Sequence, residues 1–167
     1  MFSDPEEIIQ RFELIKASHV ADFGSGSGFY SFAAAEAVGE NGVVYSIDVQ
    51  KDLLQKLKNE ARNVRHLTNI EIIWGDVDNI GGTKLKEGSI DAVIAANIFF
   101  QLENKENACL EIKRILKSKG RVLLVDWINA NSFNKEEARK LFIKNGFAEE
   151  REIDAGVKHY GLIFIKI

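Results

Sequence analysis

The stretch Val20-Ala21-Asp22-Phe23-Gly24-Ser25-Gly26-Ser27-Gly28 constrains this chain more than any other. A short apolar run carrying one acid meets three glycines spaced by two serines, and a helix-forming run follows. Such a pattern turns a buried strand sharply into a helix. Glycine takes positive φ and lets the backbone approach a ligand with no Cβ in the way. The turn also delivers a helix N-terminus, with its unpaired N–H groups, to the same spot. The rest of the chain is expected to serve as scaffold for this turn or as a wall of the pocket it makes.

Around the turn, hydrophobic periodicity gives a regular alternation. Ser3 or Asp4 caps a first helix over residues 4–15, with Pro5 in its first turn and Ile8, Ile9, Phe12 and Ile15 on one face. His19–Phe23 reads as the first strand and Gly28–Val38 as the helix after the turn. Val43–Asp48 reads as a second strand, nearly continuous in apolar residues as parallel strands are. Residues 50–64 read as a polar-faced helix and Ile70–Trp74 as a third strand. An irregular stretch, Ile80–Ser89, leads to a fourth strand, Ile90–Ala95. A helix over 104–117 closes on Lys117-Ser118-Lys119-Gly120, read as a basic end with a capping glycine. Arg121–Asp126 is the fifth strand, and Asn134 caps a helix over 135–145. Ala148–Ile153 and Val157–Ile167 are joined only by Asp154-Ala155-Gly156, too short for a parallel crossover, so they are expected to pair antiparallel. Five β-α units with an antiparallel ending describe an α/β fold, a mostly parallel sheet with helices on both faces. It is expected to form one domain over residues 1–167.

Composition narrows the classes. At 167 residues and 46% hydrophobic the chain can bury a core of its own. Its net charge of −3 speaks against a nonspecific grip on nucleic acid. The single cysteine, Cys109, excludes an internal disulfide and a multi-cysteine metal site, and its apolar helical surroundings, Ile112 and Leu116, make it a core residue. His19, His66 and His159 lack metal-ligand spacing and read as surface or hydrogen-bonded core positions, so no metal is expected. The acidic opening carries no apolar signal core, and no apolar run approaches the roughly 18 residues of a membrane helix. The expectation is a cytoplasmic protein.

In an open α/β sheet the ligand sits beyond the carboxyl ends of the strands. The glycine turn, Asp48, Gly75-Asp76, Ala96-Asn97 and Asp126-Trp127 stand there. Asp48, about 20 residues beyond Gly28, is placed to accept both hydroxyl hydrogens of a ribose, or else to cap the helix near Gln50. Asp76 can accept from an adenine amino group, or else belong to a turn. A dinucleotide fingerprint would want its third glycine at position 29, which is Phe29. With glycine at 28 instead, and Asp22 two places before the first glycine, the turn suits a smaller zwitterionic ligand whose ammonium Asp22 binds directly or through water.

At these residues the sequence resembles the class I S-adenosylmethionine-dependent methyltransferases. Val20–Gly28, Val44–Asp48, Ile73–Val77, Ile90–Gln101 and Gly120–Trp127 fall in that family's order over nearly the whole chain. The Phe2-Ser3-Asp4-Pro5 opening and Val125-Asp126-Trp127 look like compact bacterial members of the small-molecule branch related to ubiquinone/menaquinone C-methyltransferases. The resemblance implies a Rossmann-like seven-stranded sheet of order 3-2-1-4-5-7-6 with the last strand antiparallel. It implies S-adenosyl-L-methionine as cofactor and S-adenosyl-L-homocysteine as product. Cofactor contacts are implied at Asp22, Gly24, Ser25, Gly26, Gly28, Tyr30, Asp48, Val49, Gly75, Asp76, Val77 and Asn97, and acceptor contacts at Phe99, Phe100, Gln101 and Trp127. Residues 1–17, with Phe2 and Phe12, would cover the cofactor as a lid or pack on the sheet.

Many relatives carry a histidine where Gln101 stands, and glutamine cannot titrate as a base. A sulfonium methyl is already activated, so alignment supplies much of the rate and a base is needed only for a protonated acceptor. Asp126 is the best-placed carboxylate for that task, but a structural or substrate-orienting role is the reading preferred for it, and no catalytic residue is assigned. Ala96-Asn97-Ile98-Phe99 lacks the prolines of amino-methylating nucleic-acid enzymes, Cys109 lies on the wrong helix for cytosine-ring methylation, and arsenite-type relatives need several cysteines. The expected acceptor is a small or medium-sized molecule. An RNA or protein methyltransferase and a noncatalytic cofactor-binding module remain as alternatives, and the paired C-terminal strands offer a surface for a homodimer.

Overall fold

Strict alternation along the strands sorts their side chains onto two faces of one sheet, and those faces are what the helices cover. The computed structural model describes residues 4–129 and 133–167. Its elements are α1 (Pro5–Phe12), β1 (His19–Phe23), α2 (Phe29–Val38), β2 (Val43–Asp48), α3 (Lys51–Asn63), β3 (Ile70–Trp74) and β4 (Ile90–Ala96). After a 3-10 turn at Phe99–Gln101 come α4 (Lys105–Ile115), β5 (Leu116–Trp127), α5 (Lys135–Lys144), β6 (Phe147–Asp154) and β7 (His159–Lys166). The seven strands lie in the order β3-β2-β1-β4-β5-β7-β6. The pairings from β3 through β5 are parallel, and β7 runs antiparallel to both β5 and β6. This is the order that the family resemblance implies, with the antiparallel ending expected from the short link at 154–156.

On one face Val20, Ile94, Leu123 and Ile163 pack with Ile8, Ile9 and Phe12 of α1 and Ala33–Ala35 of α2. On the other, Ala21, Phe23, Val93 and Leu124 pack with Cys109 and Ile112 of α4 and Phe142 of α5. Helix α3 joins the first face through Leu57 and Ala61, against Phe32. Helix α2 is apolar almost all round and is buried accordingly. Asp22 alternates with Ala21 and Phe23, so it points to the α2 face and not to the α4 face.

Several boundaries differ from expectation for physical reasons. Helix α1 stops at Phe12 because Glu13 turns left-handed, φ 57°, and its N–H closes back on Ile9 and Gln10. Ile15 is left outside the helix and exposed. Asp4 does cap α1, accepting the Glu6 N–H at 2.9 Å, whereas Phe2 and Ser3 lie outside the described residues. Lys117–Gly120 does not cap a helix: α4 ends at Ile115, and Leu116 already pairs with Ile90 as strand. Lys117 instead bonds Asp91 at 2.7 Å, and Asp91 also accepts the His19 N–H at 2.9 Å. Gly120 is a packing glycine in this bulged entry to β5, since a Cβ there would lie 2.8 Å from Leu116 Cδ2. Asn134 and Glu137 cap α5 reciprocally.

Candidate functional site

The carboxyl ends of β1, β2, β3 and β4 surround a cavity of about 900 Å³. That lies toward the upper end of small-molecule sites, which span roughly 300–1,000 Å³. The glycine turn forms its floor. Gly24, Gly26 and Gly28 all have positive φ, 67°, 52° and 90°. At Gly24 and Gly28 a Cβ would also strike protein, Ile98 at 2.6 Å and Leu57 at 2.6 Å respectively. At Gly26 the nearest atom would be 3.9 Å away. The middle glycine therefore leaves a cradle that a side chain would fill. No side chain caps α2, so its N-terminus points its backbone at the same cradle.

Two carboxylates flank the turn. Asp48 ends β2 and is fixed by two backbone N–H groups, from Gly26 to Oδ2 and from Gln50 to Oδ1, each at 2.9 Å. Each oxygen keeps a further lone pair for a ligand hydroxyl, so the helix-entry contact and a diol-binding role are compatible. Asp22 is different. It is 2% exposed and accepts one side-chain hydrogen bond, from Ser31 Oγ at 2.6 Å, with Ser46 Oγ a further 2.6 Å behind Ser31. Burial pushes its carboxyl up to about 7; Asp48 adds to the rise, while Ser31 opposes it. A cation brought into the cavity would restore the ionised form.

Asp76 also lines the cavity. Its Oδ1 accepts the Asp78 N–H at 2.9 Å and its Oδ2 the Asn79 side-chain amide at 2.8 Å, so it builds a turn and faces the cavity at once. Val49, Gly75, Val77 and Tyr30 line the wall as well. So does Asn97, in the left-handed region at φ 55°, with its N–H on Val125 O at 2.8 Å. Asn97 Oδ1 and Ser25 Oγ are buried without a partner among the described residues. Strained backbone and unpaired polar atoms at one cavity point to a ligand.

Of the residues expected at the acceptor end, Gln101 and Trp127 line the cavity. Phe99 is fully buried and stacks on Phe133 at 5.3 Å, between the sheet and α5. Phe100 packs against the same core, and Asp126 stands under the 3-10 turn, outside the cavity lining. Asp126 accepts N–H groups from Phe100 at 3.0 Å and Trp127 at 2.9 Å. Burial raises its carboxyl to about 6 against the pull of those amides. Its geometry is that of a clasp holding the turn after β4 onto the end of β5. Helix α1 is packed by Ile8, Ile9 and Phe12, and Pro5 reaches the cavity wall.

His159 was not expected here. It is 5% exposed, lines the cavity beside Trp127 with ring centroids 4.1 Å apart, and neither ring nitrogen has a partner among the described residues. A buried polar atom left unpaired costs about 1–3 kcal/mol. Sequence position hides it, because an antiparallel strand brings its beginning, not its end, to the edge where parallel strands finish. The short link before β7 was the one available signal.

Residues 14–146 match the family model described as "Methyltransferase domain". The ubiquinone/menaquinone biosynthesis C-methyltransferase UbiE of Blochmanniella pennsylvanica is 28% identical over 119 residues, 71% of this chain and 46% of that protein. A demethylmenaquinone methyltransferase of a Geobacillus strain is 29% identical over 124 residues, 72% of this chain and 50% of that protein. The chain thus spans about half the length of these curated relatives. Among solved structures, a SAM-dependent methyltransferase from Aquifex aeolicus superposes with TM-score 0.88 at 24% identity, over 99% of this chain and 91% of that one. That likeness establishes the fold.

Proposed function

Since this chain belongs to the family of methyltransferase domains, we propose that it moves a methyl group from S-adenosyl-L-methionine to a small or medium-sized acceptor, residues 1–167 acting as one domain. The observation that carries this reading is the buried, under-compensated carboxylate of Asp22 beneath a cradle of backbone at Gly26. The residues present fit the cofactor. Asp22 receives the ammonium group, the ribose hydroxyls fall to Asp48, and Asp76 and Val77 take the adenine. Asn97 Oδ1 and Ser25 Oγ supply further acceptors, and Gly24, Gly28, Tyr30, Val49 and Gly75 complete the wall.

When bound, the sulfonium supplies a methyl group already activated for direct displacement. The protein's share is to orient and to exclude water. Asn97, Gln101 and Trp127 bound the end of the cavity where the acceptor must approach. Asp126 fixes the backbone of Phe100 and so positions this wall. Alignment at roughly 3–3.5 Å between reacting atoms supplies much of the rate. The relatives' printed names support a small acceptor, the ubiquinone and menaquinone methyltransferases above all. A buried Cys109, its thiol pushed up to about 12 by burial and Glu106, speaks against the thiol chemistry of arsenite methyltransferases, which also appear among the relatives. No helix among the described residues is long and apolar enough to cross a membrane. A chain whose one cysteine is buried draws no stability from an internal disulfide, in keeping with a cytoplasmic setting.

Calorimetric titration with S-adenosylmethionine and, separately, NADH tests the proposal. Micromolar binding of the first alone is expected, weakened about a hundredfold in Asp48→Ala, which removes a charge-assisted hydrogen-bond partner of two hydroxyls. Binding of NADH, or no change in Asp48→Ala, would overturn it.

A further inference from the structure

The cavity is longer than the part built around Asp22 and Asp48. Its wall reaches from β2 to β7, four strand spacings away in the sheet order. At about 4.8 Å per spacing that is roughly 19 Å along the sheet edge. The far end carries Trp127 and His159, directly opposite each other in the β5–β7 pairing. A second cavity of about 520 Å³ adjoins it, lined by Ile128, Ile153 and Tyr160 but also by Lys135, Glu152 and Asp154, and His159 lines both.

Burial, and Lys158 beside it, hold the His159 imidazole below its ordinary value, so at neutral pH it carries one donor nitrogen and one acceptor nitrogen. Its backbone N–H is bonded to Gly156 O at 3.3 Å, while both ring nitrogens are buried with no partner among the described residues. The Trp127 ring lies against the imidazole, centroids 4.1 Å apart and planes tilted by 39°. We propose that His159 accepts a hydrogen bond from an N–H or O–H group of the methyl acceptor, whose flat apolar body lies against Trp127, and so positions the acceptor at the end of the cavity remote from Asp48. This rests on the methyl-transfer reading above. It assigns the orienting contact to β7, where neither the glycine turn nor the 3-10 turn at Phe99–Gln101 reaches.

Phenol and toluene, near-isosteres with and without the O–H, test it on the intact chain, each titrated with and without saturating S-adenosylhomocysteine. His159 ring ¹⁵N signals and the two dissociation constants are read by NMR. Phenol should shift the ring signals and toluene should not. The toluene-to-phenol ratio of dissociation constants should fall about tenfold in His159→Phe, the equivalent of one hydrogen bond, and His159→Gln should restore part of it. Unchanged S-adenosylhomocysteine affinity in both variants would show that the fold is intact. Ring signals that phenol leaves in place, or a ratio unmoved in His159→Phe, would overturn the proposal. Failure of wild type to bind S-adenosylhomocysteine would instead strike the cofactor reading, since the phenol arm without it reads His159 separately.

Discussion

Asp22 and Glu111 are both buried carboxylates, 2% and 0% exposed, and their surroundings drive them in opposite directions. Burial alone would push both up. Glu111 is saturated: Arg114 grips it with two nitrogens at 2.8 and 2.7 Å, Thr83 Oγ1 donates at 2.5 Å and the Gly81 N–H at 2.7 Å. Arg114, Gly81 and Thr83 together hold the Glu111 carboxyl below its ordinary range in spite of burial. Asp22 has only Ser31, through its hydroxyl and its backbone, and no cation among the described residues, and stays near 7. The first is a completed bond between α4 and the loop over residues 80–85. The second is a buried acid at a cavity wall with one neighbouring residue to bond it among those described. Burial of an acid therefore says little about function until its partners are counted.

Substitution should separate the two. Glu111→Ala, which strands Arg114, Thr83 and the Gly81 amide, should lower stability by about 3 kcal/mol in urea unfolding and leave S-adenosylmethionine affinity within about threefold once folded. Asp22→Asn should do the reverse. Stability should hold or rise, because a disfavoured charge is removed, while calorimetric affinity for S-adenosylmethionine drops about a hundredfold. Equal effects on both quantities in either variant would erase the distinction.

The pH dependence sharpens it further. From about pH 4 to 7 the unfolded chain has lost the Asp22 proton while the folded protein keeps it, so without ligand stability falls as pH rises through this window. Asp126 contributes with the same sign up to about 6, so the Asp22 share is the difference between wild type and Asp22→Asn unfolding measured at pH 5 and pH 8. Glu111 runs the other way: its stabilisation is present above its ordinary 4.5 and is lost as pH falls through its lowered value. Affinity for S-adenosylmethionine should rise with pH up to about 7, by at most about tenfold per unit. A flat affinity profile would show that Asp22 does not meet the ligand's cation.

The strands and the glycine turn were legible because each rests on local pattern: alternation, glycine, and acids after apolar runs; the strand order came only from the family resemblance. The cavity's near half was legible for the same reason, since parallel strands present their ends together. Glu111 was not, because its partners Thr83 and Gly81 sit about 30 residues away in a stretch without periodicity. His159 is hidden from the sequence because β7 runs antiparallel, so its first residue and not its last stands at the cavity. The basic run at Lys117–Gly120 was misassigned since lysines after a helix suit its dipole equally well as they suit Asp91 across the sheet. Local chemistry was the same in both cases, and only tertiary register decided.

The place of β7 has a consequence for how the molecule is made. It is last of the seven strands in the chain, yet it lies between β5 and β6. As the chain leaves the ribosome, β1 to β4 and the cradle around Gly26 can assemble early. β5 then waits with a bare flank until residues 159–166 emerge, and a bare flank invites pairing with the wrong chain. His159 leads that strand, so the residue that would greet the acceptor arrives in the same step that seals the sheet. A nascent chain would thus have the Gly26 cradle in place before the far wall of the cavity exists.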